Sequence, residues 1–344
     1  MNNSRNVGFR ILRILGGGAV VIFGILSLLS SGGGGGDQFG AAPGEAPSPI
    51  TNLNFDANNS VNAARSAALV MSFFPDFTSL AHRIITTLAA SDPGNSPFDL
   101  AMCINAGNSM LTWIDSDHSG DISIGDSTSL QLKDCDLEGN GAVITGTVKF
   151  GFTSVDPDPL PNSYSFNAAV DLRLANAPGT MSFTANFGAA ESTQNGTDFK
   201  NSYTAHDSTS QELAVSENDT ALYQLGCFKV TETFSTADSP GTYQLTPSGV
   251  INTSGTIMSM AEGGQLSFVN NWLESGTERL LGSAAPGCVV VGAPDGSDSS
   301  NGSYIDIEAL GGDGLRLHTF DASNIEFNTA DTTWKTLLDS IGAQ

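Results

Sequence analysis

The sequence predicts a mainly β protein, an antiparallel meander that forms a sandwich or a curved open barrel, with a short helical element near the N-terminus and a C-terminal helix. Two observations support this prediction. Apolar and polar residues alternate with a period of two in three consecutive segments, 144–152, 166–174 and 181–187. Turn-rich links, such as residues 238–241, separate further short apolar runs towards the C-terminus.

The first element of the chain resembles a secretory leader. Arg5, Arg10 and Arg13 precede a mostly apolar run over residues 14–29, which is shorter than the ~20 residues of a typical membrane-spanning helix. We therefore expect residues 1–31 to be a signal peptide. The alternative is an uncleaved membrane anchor, and we expect no other attachment of the protein to a membrane. Either reading predicts an exported protein that is periplasmic, extracellular or associated with the cell envelope.

A linker is predicted over residues 32–50, which are rich in Gly, Ala and Pro and begin with the run Gly32–Gly36. The end of the leader is similar to that of bacterial lipoproteins. Gly32 stands where such proteins carry the lipidated cysteine, so no acceptor for thioether lipidation is expected.

Helical spacing is predicted in two places. Apolar residues recur at helical intervals over 61–71 and again over 80–88, and Pro75 lies between the two runs, which favours two short helices. At the C-terminus we expect Asp331 to cap a helix whose apolar stripe covers a sheet face; this stripe consists of Trp334, Leu337, Leu338 and Ile341.

The four cysteines are expected to form disulfides, because their number is even and an exported protein meets an oxidising environment. Three pairings are open. The local pairing joins Cys103 to Cys135 and Cys227 to Cys288, and four buried free thiols are the alternative. A weak boundary in the polar stretch near residue 210 divides the chain into two β-modules. The first, 51–210, contains the helical element, and the second, 211–344, ends in the C-terminal helix.

The charge balance limits the partners of the protein. The chain of 344 residues has 36 Asp and Glu against 13 Lys and Arg, which gives a formal net charge of −23. Such a surface repels phosphate backbones and anionic membranes, so nucleic-acid binding is excluded and cations are the expected partners.

One segment matches a metal-binding pattern position by position. Residues 115–126, DSDHSGDISIGD, follow the twelve-residue calcium-loop pattern, in which oxygen-bearing residues at alternate positions converge on Ca²⁺. The predicted ligands are Asp115, Asp117, Ser119, the backbone carbonyl of Asp121, Ser123 through a water, and Asp126. Gly120 permits the sharp turn and Ile122 anchors the loop to the core. The flanking residues favour strands, and an Asp/Gly turn without metal is the alternative.

These residues also carry a resemblance. Residues 103–150 combine two cysteines, the calcium-loop pattern and a Gly-Asn-Gly turn at Gly139–Gly141, and they resemble a recurrent module of exported lipoprotein-like proteins of proteobacteria. Residues 302–338 are similar to the C-terminal module of those proteins, although the second aspartate-rich loop is degenerate at 321–326. The resemblance implies an envelope location and a β-rich fold, with no established activity and no second metal site.

The expected function is therefore non-catalytic binding or scaffolding, with calcium in a structural role. No G-x-S-x-G, H-E-x-x-H or Walker pattern occurs in the sequence, and we assign no catalytic role to His82, His118, His206 or His318. Two alternatives remain open. Phenylalanines on the strand faces allow a periplasmic carrier of an apolar ligand, and the many acids allow a secreted hydrolase.

Overall fold

A computed structural model describes residues 51–136, 143–156, 163–175, 181–193, 197–205, 211–217, 220–239, 241–253, 256–283, 288 and 302–339. The predicted leader, the linker, His206, Gly139–Gly141 and Ile341 lie outside these residues. The helices are α1 Ser60–Ala89 and α2 Trp334–Asp339, and a short 3₁₀ turn covers Pro93–Asn95. The strands are β1 Thr51–Asn52, β2 Phe98–Asp99, β3 Asn108–Ile114, β4 Ser127–Cys135, β5 Val143–Val155, β6 Ser163–Ala175, β7 Met181–Thr193, β8 Asp198–Thr204, β9 Gln211–Glu217, β10 Thr220–Gly226, β11 Lys229–Ser235, β12 Tyr243–Thr246, β13 Gly249–Thr253, β14 Thr256–Met260, β15 Gln265–Val269, β16 Trp272–Leu281, β17 Tyr304–Gly311, β18 Gly314–Phe320 and β19 Glu326–Thr333.

The strands form one large sheet, and the prediction of a mainly antiparallel β fold is confirmed. Strands β2 to β7 pair in sequence order, and β16 to β19 do the same at the other end of the sheet. Only the short β1 pairs in parallel, with β14, in the part of the chain that the structure describes. The predicted segments 144–152, 166–174 and 181–187 are the centres of β5, β6 and the first half of β7.

The middle of the sheet consists of strands placed end to end. Strands β8 and β9 pair with the two halves of β7, and β11 and β10 pair with β8 and β9 in turn. Two rows of paired strands result. One row continues from β11 through β12 and β15 to β16, and the other continues from β10 through β13 and β14 to β16. Four positions of the meander are therefore occupied by two short strands instead of one long strand.

The sheet encloses α1, which is buried on nearly all sides. Phe74 packs against Phe187 of β7 and Tyr203 of β8, at 6.4 and 5.1 Å between ring centroids. Phe77 packs against Phe150 of β5 at 5.7 Å. The same helix also contacts β11, β17, β18 and α2, so the sheet curves around it. Its buried residues lie on several sides of the helix, whereas Arg65, Asp76 and Arg83 share one face and are only partly buried, so the enclosure covers the apolar faces of the helix.

The prediction of two short helices was wrong. Residues 60–89 form one helix with Pro75 in its interior. Proline removes one helical hydrogen bond and disfavours a helix interior by about 3 kcal/mol. Burial of the apolar side chains on both sides of Pro75 outweighs that cost, because each fully buried large side chain contributes about 1.5–3 kcal/mol.

The prediction of Asp331 as a helix cap was also wrong. Asp331 lies in β19 and pairs with Arg316 of β18, with oxygen–nitrogen distances of 2.8 and 3.1 Å. The cap of α2 is Thr333, whose hydroxyl accepts the backbone N–H of Thr336 at 2.8 Å. The predicted apolar contact is present, since Trp334 and Leu337 are buried and Trp334 packs against Phe268.

Both disulfides of the local pairing are formed. Cys103 bonds to Cys135 beside the β3–β4 hairpin, and Cys227 bonds to Cys288. The chain-entropy account predicts that each stabilises the fold by about 3–4 kcal/mol. Disulfides persist in oxidising surroundings, and this pairing therefore indicates an oxidising environment for the folded protein. The division into two modules near residue 210 stays a prediction.

Replacement of Phe74 by alanine tests the enclosure of α1. Phe74 is fully buried against rings of β7, β8 and the segment between β10 and β11, so Phe74→Ala is expected to lower the free energy of unfolding by about 3–5 kcal/mol in urea titrations. Phe327→Ala, at a half-exposed position of β19, is the matched control and should change it by less than about 0.5 kcal/mol. Equal effects of the two substitutions would contradict the central position of the helix.

Candidate functional site

The candidate calcium loop connects two paired strands. Strands β3 and β4 pair along their full length, from Asn108 opposite Lys133 to Ile114 opposite Ser127. Ile114 and Ser127 therefore hold the two ends of the loop side by side, as the flanking sequence predicted. The loop also pairs with the last residues of β5, because Gly125 donates to the carbonyl of Phe152 and Phe152 donates to the carbonyl of Asp126, at 3.0 and 2.9 Å.

Three predicted ligands converge within the loop. Asp115, Asp117 and Asp126 each place a carboxylate oxygen within 4.8 Å of the others. Asp115 is half-buried, Asp117 is exposed and Asp126 is fully buried. Among the described residues, no lysine or arginine forms an ion pair with any of them. The negative charge of this cluster is therefore available to a cation.

Backbone amides orient two of these carboxylates. The Asp115 carboxylate accepts the N–H groups of Ser119 and Gly120 at 3.2 and 2.9 Å. The Asp126 carboxylate accepts those of Ser116 and Ser123 at 2.8 and 2.9 Å. Each carboxylate oxygen has a second lone pair, so these hydrogen bonds fix the geometry without using up the capacity to bind a metal.

The middle of the loop adds two neutral oxygens. The Ser119 hydroxyl donates to the Asp121 carbonyl oxygen at 3.0 Å, so the two oxygens lie side by side in the loop. The hydroxyl and the amide of Ser119 hold the pKa of Asp117 at about 2, so this carboxylate is ionised at neutral pH. These oxygens fit the requirement of Ca²⁺ for several oxygen ligands.

The turn itself has the predicted backbone. Gly120 has a φ of 80° and His118 a φ of 60°, which is the left-handed conformation that a tight loop needs. No atom lies near the position that a Cβ of Gly120 would take, so the backbone angle and not crowding favours glycine there. Ile122 packs partly buried against the core, and this anchor residue is therefore placed as expected.

Two histidines outside the loop, His82 and His318, take part in local charge pairs. His318 lies between Glu326 and Glu308, with nitrogen–oxygen distances of 2.7 and 3.2 Å, and these carboxylates raise its pKa. Its two nitrogens contact different carboxylates, so this arrangement ties β17, β18 and β19 together. His82 of α1 lies 3.7 Å from Glu191, and the neighbouring Glu191 carboxylate raises the pKa of His82.

A row of buried polar residues inside the sheet was missed by the sequence analysis. Tyr164, Glu191, Asn201 and Glu232 occupy directly opposed positions on β6, β7, β8 and β11, and all four are buried. The sequence contains a signal for one of these residues, Glu191. Glu191 has the same parity in β7 as the buried Phe187, which places a carboxylate on the apolar face of a strand.

Comparison with known proteins finds no matching protein family, no matching curated protein and no matching solved structure. Within the part of the chain that the structure describes, neither helix combines the length and the apolar character needed to cross a bilayer.

Glu278 gives the protein a predictable response to pH. It lies in β16 with 1% of its surface exposed, and neither of its carboxylate oxygens has a hydrogen-bond partner among the described residues. Burial raises the pKa of Glu278 to about 9, from 4.5 in the unfolded chain. Below pH 4.5 the carboxyl group is protonated in both the folded and the unfolded chain, and the free energy of unfolding is then highest. As the pH rises towards 9, only the unfolded chain loses this proton, which lowers the free energy of unfolding by about 3 kcal/mol at pH 7.

The substitution Glu278→Gln removes this titration. We expect the difference in free energy of unfolding, variant minus wild type, to rise by about 3 kcal/mol between pH 4.5 and pH 7. Urea titrations at several pH values measure this difference. Glu262→Gln, at an exposed position before β15, is the control and should follow the wild type. Parallel curves for Glu278→Gln and the wild type would show that this carboxyl group is not desolvated in the folded protein.

Proposed function

We propose that this protein is a non-catalytic exported protein of the bacterial envelope, whose β-rich fold serves binding or scaffolding and is stabilised by one calcium ion. The observation that carries the proposal is the convergence of Asp115, Asp117 and Asp126 within 4.8 Å in a loop that follows the calcium-binding pattern. Two disulfides and the apolar leader sequence support the exported location.

The calcium ion would be held by side chains and by one backbone carbonyl of the loop. Asp115, Asp117 and Asp126 supply negative charge, while Ser119 and the carbonyl of Asp121 complete the shell. Ser123 acts through a water molecule. Asp126 is shorter than the glutamate usual at this position, so it binds through one oxygen and the affinity is modest. Calcium neutralises the repulsion among the three carboxylates and thereby orders the hairpin loop.

Two alternative functions, a carrier of an apolar ligand and a secreted hydrolase, have no particular contact in their favour. Phenylalanines 150, 166 and 187 suggested a carrier of an apolar ligand, and in the described residues their rings pack against Phe77 of α1. A hydrolase would require carboxylates that converge in an open cleft. The three convergent carboxylates lie in a hairpin loop beside backbone amides, which suits a bound cation better than a substrate.

Thermal unfolding in calcium tests the proposed site. For a site with a dissociation constant of ~0.1 mM, millimolar Ca²⁺ adds about 1–2 kcal/mol to the free energy of unfolding and raises Tm by a few degrees. Asp115→Ala combined with Asp117→Ala should abolish the rise. Asp321→Ala, in the degenerate aspartate-rich loop at residues 321–326, is the control and should retain the rise in Tm. An unchanged wild-type Tm up to 10 mM Ca²⁺, about 100 times that dissociation constant, would remove the site.

The exported location is tested separately. The full chain, expressed in a bacterial host, should be recovered outside the cytoplasm, and N-terminal sequencing should place the start of the mature protein near Gly32. Its mass should contain no lipid and should correspond to two disulfides. Recovery from the cytoplasm with four reduced thiols would contradict the proposed location and leave the calcium proposal to its own experiment.

A further inference from the structure

The buried polar row contains two carboxylates in an otherwise apolar core. Glu191 and Glu232 flank Asn201, because β8 pairs with β7 on one side and with β11 on the other. Tyr164 continues the row on β6, opposite Glu191. Glu191 is 7% exposed and Glu232 is fully buried. Groups of this kind are retained in a core only when hydrogen bonds replace those they lose to water.

Helix α1 supplies part of those hydrogen bonds. Thr78 and His82 are one helical turn apart and face the row. The Thr78 hydroxyl donates to Glu232 and forms a second hydrogen bond with the Tyr203 hydroxyl. His82 lies at the outer end, beside Glu191, with about a third of its side chain exposed. The helix therefore contacts both carboxylates, at positions two strands apart.

A small cavity lies between these two contacts. Its polar lining is formed by Thr78, Tyr164, Glu191, Asn201 and Tyr203, and the free space inside has room for about one water molecule. Asn201 is 3% exposed, and its side-chain nitrogen Nδ2 is buried without a hydrogen-bond partner among the described residues. An unpaired buried amide of this kind costs about 1–3 kcal/mol.

We propose that this cavity is the binding site of one ordered water molecule that joins Asn201 to Glu191 and Tyr203. Its oxygen accepts the free N–H of Asn201, and its two hydrogens are donated to the Glu191 carboxylate and the Tyr203 hydroxyl oxygen. Tyr203 then donates to Thr78, and Thr78 donates to Glu232. Each group in this chain has one defined role as donor or acceptor.

The lining selects water over other small ligands. An anion is disfavoured beside Glu191 and Glu232, and the N–H of Asn201 opposes a bare cation. The ligand must both accept and donate hydrogen bonds, and the size of the cavity excludes organic molecules. Burial also raises the pKa of Tyr164 and Tyr203 well above 10, so both hydroxyl protons are retained.

The water closes one continuous hydrogen-bonded network. It extends from Glu191 through the water, Tyr203 and Thr78 to Glu232 in the core, and His82 lies 3.7 Å from Glu191 at its outer end. Strands β7, β8 and β11 and the helix are thus linked by polar contacts as well as by apolar packing. This network also accounts for the presence of glutamates on strand faces where apolar residues are the rule.

A high-resolution crystal structure of the mature protein tests the proposal. It should contain a water peak within hydrogen-bond distance of Asn201 Nδ2, Glu191 and Tyr203. Asn201→Leu replaces the amide by apolar atoms of about the same size and should remove one long-lived water, counted in solution by oxygen-17 relaxation dispersion. Asn186→Leu, at an exposed position of the neighbouring strand β7, is the control and should leave the number of buried waters unchanged.

Three results would overturn the proposal. The cavity of the wild type could be dry, it could be closed by direct contact of Asn201 with Glu191, or it could hold a cation recognised by contacts shorter than hydrogen bonds. If Asn201→Leu does not fold, the crystal structure of the wild type decides the question without it. None of these results bears on the calcium loop, which lies in a different hairpin.

Discussion

The enclosure of α1 by the sheet is the constraint on which the rest of the structure depends. Most of the helix is buried, and its apolar faces need the strands that surround them. The inner face of the sheet in turn presents phenylalanine rings that pack against Phe74 and Phe77. Each layer therefore covers apolar surface of the other, and a single core connects both halves of the meander.

This dependence explains where sequence reasoning succeeded and where it did not. The alternation in β5, β6 and β7 is a local pattern with a direct geometric cause, and the strands follow from it. Pro75 is a local signal for a helix break, but contacts with residues more than seventy positions away override it. The cap at Thr333 was missed because the pairing of Asp331 with Arg316 extends β19 up to the helix.

In the candidate site, too, local features could be predicted from the sequence and long-range contacts could not. The loop from Asp115 to Asp126 lies within twelve residues, so its turn, its anchor at Ile122 and its convergent carboxylates could be derived from spacing. The polar row could not, because Glu191 and Glu232 become neighbours of Asn201 only through the register of three strands. A parity argument identifies each of these residues as unusual, but it does not bring them together.

The end-to-end strands in the middle of the sheet have a consequence for how the sequence can vary. Each of the two rows has its own ladder of hydrogen bonds, and a short connecting segment, such as residues 227–228 or 247–248, separates them. The first connector is itself held in place, because Cys227 forms the disulfide with Cys288 and Phe228 is buried against Phe74. The break between the two ladders is thus secured by a covalent bond and by core packing, so a change of chain length at this point of the sheet would disturb both, unlike one in an outer loop.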